Sequence, residues 1–212
     1  MARFAEAREA MVNRQIAARG IDNPALLEAM RTVPREAFVA AGLAHSAYDD
    51  RALPIAAGQT ISQPYIVALM IAAAEVGAND HVLEVGAGSG YAAAVLGQVA
   101  GTVIAIERHH DLAELAAERM DRLGYSNVRI VEGDGTLGWP AAAPYDAILA
   151  SASGGHVPQP LIDQLKPGGR LVIPLGLRWL GQTLVKLTKR GDGSLAKTRL
   201  CAVRFVPLVG AQ

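Results

Sequence analysis

Apolar residues recur at helical spacing over Ala5 to Arg19, where the pattern includes Met11 with Gln15 and Ile16, and again over Pro24 to Met30 through Leu26, Leu27 and Met30. The chain is therefore predicted to open with two helices. Asp22 and Asn23 ahead of Pro24 supply an N-cap signal with proline in the first turn, which marks where the second helix starts. Residues 34 to 63 lose the periodicity, broken by Pro34, Gly42, Pro54 and Gly58. A connection of that length without regular elements is more often functional than idle. It ends in Gly58-Gln59-Thr60-Ile61-Ser62-Gln63 and runs into Pro64 and an apolar stretch over 65 to 76, which reads as a buried helix.

From residue 80 the period alternates between strand and helix. His81 to Val85, Val103 to Glu107, Val128 to Glu132 and Tyr145 to Ala150 are short, continuous apolar runs of the kind buried parallel strands show. Helical patterns at Tyr91 to Val99 and His110 to Leu123 lie between them. Repeated strand–helix units predict an α/β fold with a doubly wound, Rossmann-like parallel sheet. Pro160 to Leu165 reads as a short helix ended by Lys166-Pro167-Gly168-Gly169, after which Arg170 to Pro174 returns as a strand. Gln182 to Lys189 and Thr198 to Val206, about the turn at Gly191-Asp192-Gly193, predict an antiparallel pair at one edge.

The 212 residues suit one domain, with residues 1–79 as a helical cap and loop and 80–212 as the α/β core. Twenty basic and twenty acidic side chains cancel, which leaves no global field to gather phosphate backbones and disfavours nucleic acid as a partner. Cys201 is the single cysteine, so an internal disulfide and any multi-cysteine metal site are excluded and a reducing compartment is expected. The longest apolar run, Tyr65 to Ala78, contains Glu75 and is too short to span a bilayer, and charges punctuate Met1 to Gly20. A cytoplasmic, membrane-free protein is expected. No heptad or self-complementary surface is readable, and a monomer is expected.

The strongest chemical signal is Leu83-Glu84-Val85-Gly86-Ala87-Gly88-Ser89-Gly90-Tyr91 at a strand-to-helix turn. Glycines there let backbone approach a ligand closely, and free N–H groups at the following helix favour electron-rich groups. A pyrophosphate-binding fingerprint would place its third glycine at 91, where this chain has tyrosine. Glu84 would repel a pyrophosphate but suits a ligand carrying ammonium and sulfonium charges, so the turn favours S-adenosylmethionine over a nicotinamide dinucleotide. Glu107, at the next strand end with Arg108 beside it, can accept from both ribose hydroxyls. Asp134, in Glu132-Gly133-Asp134-Gly135, can accept the adenine amino group. His109 and His110 read as residues that open a helix rather than as metal ligands; Trp139, Trp179 and Cys201 read as packing residues.

These segments resemble the protein-L-isoaspartate O-methyltransferase family over nearly the whole chain. The likeness rests on Gly58 to Pro64, Leu83 to Gly90, Glu132 to Gly135, Pro144-Tyr145-Asp146-Ala147-Ile148, Leu165 to Leu171 and Phe205-Val206-Pro207-Leu208. It implies an enzyme that uses S-adenosylmethionine to methylate the side-chain carboxylate of L-isoaspartyl residues in damaged proteins, with D-aspartyl residues as a second candidate, so that repair proceeds through a succinimide. It implies Ser62 as the active-site residue. Cofactor contacts carry over to Thr60, to Glu84, Gly86, Ala87, Gly88 and Gly90, to Glu107 and Arg108, and to Asp134 and Gly135. Without the resemblance, Ser62 would be read as the cap of the helix after Pro64. Ile61, Ser62, Ser153 and His156 are expected to meet substrate, although Ala152-Ser153-Gly154-Gly155-His156 departs from the alanine- and proline-rich loop usual in the family. That departure keeps a second reading open, an S-adenosylmethionine-dependent O-methyltransferase acting on another carboxylate, a small molecule or a dedicated peptide.

A carboxylate with a pKa of about 4 is already ionised at neutral pH, so its methylation requires no general base. None is evident beside the glycine turn, and the fourth strand ends without the Asn/Asp-Pro-Pro-Tyr/Phe motif associated with amino-group methyltransferases.

Overall fold

A computed structural model describes residues 2–177, 179 and 181–210. Helix α1 (Ala2–Met11) passes into a π turn (Val12–Ile16) and a 3-10 turn (Ala17–Arg19), and Gly20 ends the run with a φ of 87°. Helix α2 (Pro24–Thr32) is capped by Asn23, whose Oδ1 accepts from Leu26 N at 3.0 Å. The aperiodic stretch that follows folds as 3-10 turns at Arg35–Phe38, Ala41–Ser46 and Ala56–Gly58 around a two-residue hairpin, β1 (Leu53–Pro54) and β2 (Thr60–Ile61). Helix α3 (Pro64–Ala73) stops earlier than its apolar run. Glu75 takes a φ of 51°, and Arg170 collects the helix-end carbonyls, donating to Ala74 O and Glu75 O at 2.7 Å each.

The α/β unit then alternates β3 (His81–Val85), α4 (Tyr91–Val99), β4 (Thr102–Glu107), α5 (His110–Leu123), β5 (Val128–Glu132) and β6 (Tyr145–Ala150). A short α6 (Gln159–Asp163) leads to β7 (Leu165–Leu177), β8 (Gly181–Lys189) and β9 (Leu195–Val203). The seven strands lie in the order β5-β4-β3-β6-β7-β8-β9, parallel from β5 to β7 and antiparallel at β8 and β9. Winding reverses between β3 and β6, and that switch point opens a crevice at the carboxyl ends of the strands.

Three expectations change. Lys166 to Gly169 is a bulge near the start of β7 rather than a helix stop, with Gly168 at a φ of 80° and the register shifting between Tyr145 and Ala147; Lys166 Nζ lies 2.7–2.8 Å from both Asp146 oxygens, which holds the segment to the sheet. The β7–β8 hairpin runs well past Pro174, and Trp179 at its tip is 79% exposed instead of packed. The last strand ends at Val203, which releases Arg204 to Val209 to cross toward the crevice.

Side-chain alternation along the strands builds two apolar layers. Val82, Val103, Ala147 and Val172 join Leu96 of α4 and Val67 and Met70 of α3 in one layer that continues into the cap through Met11, Ile16, Leu26, Met30 and Phe38. Leu83, Ile104, Ile106, Ile148 and Leu171 form the other layer with Leu161 of α6. The cap thus shares its core with one face of the sheet.

Candidate functional site

Two cavities meet at the carboxyl ends of the strands. The first is lined by the glycine turn, the ends of β3 and β4, Gln59 to Ser62, Ser151 and Val206 to Val209. The second is lined by Ala52, Gln63, Ile66 and the segment from Ala202 to Val206. Thr60, Ser62, Ser151 and Val206 line both.

The turn after β3 is docked tightly onto β4. Gly86 N and Ala87 N donate to Ile106 O at 2.8 and 2.9 Å, and Gly88 N donates to Glu107 Oε2 at 2.8 Å. Gly86, Gly88 and Gly90 all have positive φ, which a side chain would oppose. The amides at 86, 87 and 88 are engaged within the protein, so any amide offered to a ligand comes from the start of α4 beyond them. Gly90 also does other work than that expected of it. A Cβ there would meet Met120 Cε at 3.0 Å and Ala116 Cβ at 3.3 Å, so this glycine lets the start of α4 pack on α5 and does not line the cavity.

The acids at successive strand ends are held in different ways. Glu107 is buried and accepts from Gly88, Arg108 and His109 backbone N–H groups at 2.8–2.9 Å, which fixes its plane while leaving acceptor capacity on Oε2, and it lines the cavity. Glu84 is buried as deeply, and its Oε2 has no hydrogen-bond partner. Burial first, and the charge of Glu107 second, push its carboxyl up to about 8, while the Ser151 hydroxyl acts in the opposite direction. Asp134 Oδ1 accepts from Thr136 N and Thr136 Oγ1 at 2.9 and 2.7 Å, capping the turn Gly135–Leu137; the cavity wall at this point is Gly135. A Cβ on Gly135 would fall 2.4 Å from Val85 Cγ1, so only glycine allows that approach.

An orphaned acidic oxygen, a second carboxylate fixed by amides and a glycine turn that brings backbone close to the cavity fit S-adenosylmethionine. Glu84 would take the ammonium end and Glu107 the ribose hydroxyls. Arg108 lines the same cavity, and its Nη1 donates to Val209 O at 2.9 Å, tying the late segment of the chain across the wall.

Ser62 does not cap α3. The cap position is Gln63, which makes no side-chain cap bond there and instead donates through Nε2 to Asp50 O and Oδ1 at 3.1 and 2.8 Å. Ile61 is buried against the first cavity, and Thr60 is exposed at the junction. Ser153 and His156 stand apart from both cavities. Ser153 is buried, with its hydroxyl donating to Gly176 O at 3.1 Å and its backbone paired with Val206 and Leu208; His156 is exposed. Pattern reading missed Arg35, Ile55, Ser151 and Val206 to Val209. Val206 to Leu208 belong to the closing segment that carries the family likeness without a site role assigned to them, the others lie in no motif, and only tertiary contacts bring them to the site.

The sequence matches the family model of protein-L-isoaspartate(D-aspartate) O-methyltransferase over residues 6–212. It is 55% identical over 205 residues to protein-L-isoaspartate O-methyltransferase 2 of Pelobacter propionicus, covering 97% of this chain and 91% of that one. It is 57% identical over 205 residues to the Methylorubrum extorquens protein-L-isoaspartate O-methyltransferase, covering 97% and 89%. Among solved structures, a protein-L-isoaspartate O-methyltransferase superposes with a TM-score of 0.86 at 30% identity, over 96% of this chain and 66% of that longer one. A candidate protein-L-isoaspartate O-methyltransferase from Plasmodium falciparum, in complex with S-adenosyl-L-homocysteine, superposes with a TM-score of 0.82 at 26% identity, over 95% and 98%. With a switch-point crevice, a buried glutamate oxygen without a partner and a serine between two cavities already in place, a match of this extent settles the grouping: the chain belongs to the protein-L-isoaspartate(D-aspartate) O-methyltransferase family.

Proposed function

We propose that this chain methylates the free carboxylate of L-isoaspartyl residues in proteins and peptides, with S-adenosylmethionine as methyl donor. Bound in the first cavity, that cofactor supplies a methyl group on a cationic sulfur, transferable to an already ionised oxygen. The chain's residues have binding, aligning and drying to do. Glu84 and Glu107 hold the cationic and ribose ends, Gly86 to Gly88 and Gly135 form the close walls, and Ile61 and Val206 to Leu208 keep water from the junction. Ser62 donates a hydrogen bond that orients the substrate carboxylate. One neutral donor is enough for alignment, and a stronger clamp would quench the nucleophile in the ground state.

The observation that carries this reading is that Ser62 lies on the shared wall of the two cavities. A substrate reaching the second cavity meets the first at this residue. The same observation favours a polypeptide as substrate, since the second cavity runs along the backbone of Ala202 to Val206. We infer further that the cap (1–79) and core (80–212) act as one unit in a monomeric, cytoplasmic enzyme. The cap shares the sheet's core, no heptad or self-complementary surface is readable in the chain, and no helix among the described residues is long and apolar enough to cross a membrane.

Incubation with methyl-labelled S-adenosylmethionine and matched peptides containing isoaspartate, D-aspartate or ordinary aspartate tests the reading. Labelling confined to the damaged residues is expected. Equal labelling of the isoaspartyl and aspartyl peptides, or of neither, overturns it.

A further inference from the structure

Arg35 is fully buried and has no carboxylate partner within ion-pair distance among the described residues. Its Nε donates to Ala47 O at 2.7 Å and its Nη2 to Ser62 O at 2.7 Å, while Nη1 finds no acceptor. The guanidinium carbon stands 4.6 Å from the centroid of the Tyr91 ring. Tyr91 opens α4 directly after the glycine turn and lines the first cavity. Phe38, on the same 3-10 turn as Arg35, meets that ring edge-on at 5.5 Å.

Keeping a cation out of water on two carbonyls and one aromatic face is costly, and a packed apolar side chain would satisfy the fold at lower cost. What the guanidinium adds is geometry, because a planar fork sets several groups at fixed mutual positions. The two carbonyls it holds bracket the aperiodic stretch from Ala47 to Ser62, which contains Thr60 and Ile61. Its third contact is on the cofactor side. Burial lowers the pKa of Arg35 from the ordinary arginine range, and the Tyr91 phenol group opposes that fall.

We propose that Arg35 is a positioning residue of the methyl-transfer site, fixing the Ser62 backbone against Tyr91 so that the serine hydroxyl and the cofactor turn keep a single mutual geometry. This rests on the reading of Ser62 given above.

The test is a double-mutant cycle on the full chain with Arg35→Lys, Arg35→Gln and Ser62→Ala. It reads kcat and KM with an isoaspartyl peptide, calorimetric binding of S-adenosylhomocysteine, and amide exchange over residues 59–63. Arg35→Lys retains the charge but not the fork, and is expected to lower kcat by about tenfold or more. Binding of S-adenosylhomocysteine should stay within about threefold. In the Ser62→Ala background the same change should cost less than about twofold, because its effect passes through the serine. Exchange over 59–63 should quicken in either Arg35 variant while β3 and β4 stay protected. Fully additive losses, a wild-type kcat in Arg35→Lys, or failure of both Arg35 variants to fold overturns the inference, the last by making Arg35 a determinant of the fold alone. A wild-type chain that leaves isoaspartyl peptides unlabelled overturns the functional reading instead, and the exchange measurement then decides the Arg35 inference by itself.

Discussion

Glu84 and Glu107 face one cavity from neighbouring strand ends, yet three backbone amides hold Glu107 while Glu84 keeps a buried oxygen without a partner. The satisfied acid is a fixed acceptor. The unsatisfied one, pushed up to about 8, is mostly protonated at neutral pH until a cation arrives.

Cofactor binding should therefore release a proton. Calorimetry of S-adenosylhomocysteine binding near pH 7, in buffers of different ionisation enthalpy, is expected to show net release, with affinity strengthening as pH rises toward 8. Glu84→Gln should abolish the release and weaken binding. Buffer-independent heats in the wild-type chain would refute this role for Glu84.

The same group sets a pH dependence of stability in the ligand-free protein. Its folded pKa is raised from 4.5 to about 8, so the folded state binds more protons between those values. The contribution is complete below 4.5 and is lost as pH rises through about 8. Urea unfolding should report a loss of about 2 kcal/mol from this group between pH 6 and 8. Glu84→Gln should flatten the profile, and an equally steep profile in the variant would count against the assignment.

Ser62→Ala should lower kcat by about tenfold to a hundredfold. Binding of S-adenosylhomocysteine should remain within about twofold, because the serine is proposed to meet substrate rather than cofactor. Unchanged turnover would leave Ser62 as a wall residue only.

Gly135→Ala puts a methyl group 2.4 Å from Val85 Cγ1, at a point where two strand ends meet the cavity. Such overpacking should destabilise the chain by about 1–3 kcal/mol. It should also weaken cofactor binding, since Val85 lines the cavity and must shift. A variant as stable as wild type would mean that the strand ends give way easily.

His156 is exposed and lines neither cavity. His156→Ala should leave kcat/KM for short isoaspartyl peptides within about twofold. A larger loss would show that the loop folds inward when substrate binds.

The strand–helix alternation from His81 to Ala150 was readable because parallel strands buried on both faces must be continuous apolar runs, and Asn23 announced α2 because a side-chain oxygen ahead of proline has few other uses. Glu84, Glu107 and Gly135 were readable for a related reason, since strand ends and glycine turns are local patterns. What Gly90 is for is not legible locally, because close approach to a neighbouring helix and close approach to a ligand make the same demand on a residue. Arg35 was invisible: its three contacts lie at Ala47, Ser62 and Tyr91, and no local pattern records them. The bulged start of β7 is not legible because Pro167-Gly168-Gly169 reads as a stop, whereas the Lys166–Asp146 pair holds it to the sheet.

The first cavity draws its walls from positions as distant along the chain as Gln59 and Val209. Walls drawn from such distant positions come together only when almost the whole chain has assembled. Occupancy is consequently a report on the integrity of the entire molecule, and any ligand held there stabilises the native state as a whole by mass action. An enzyme proposed to repair aged proteins would then lose its cofactor, and with it its activity, as soon as its own fold failed.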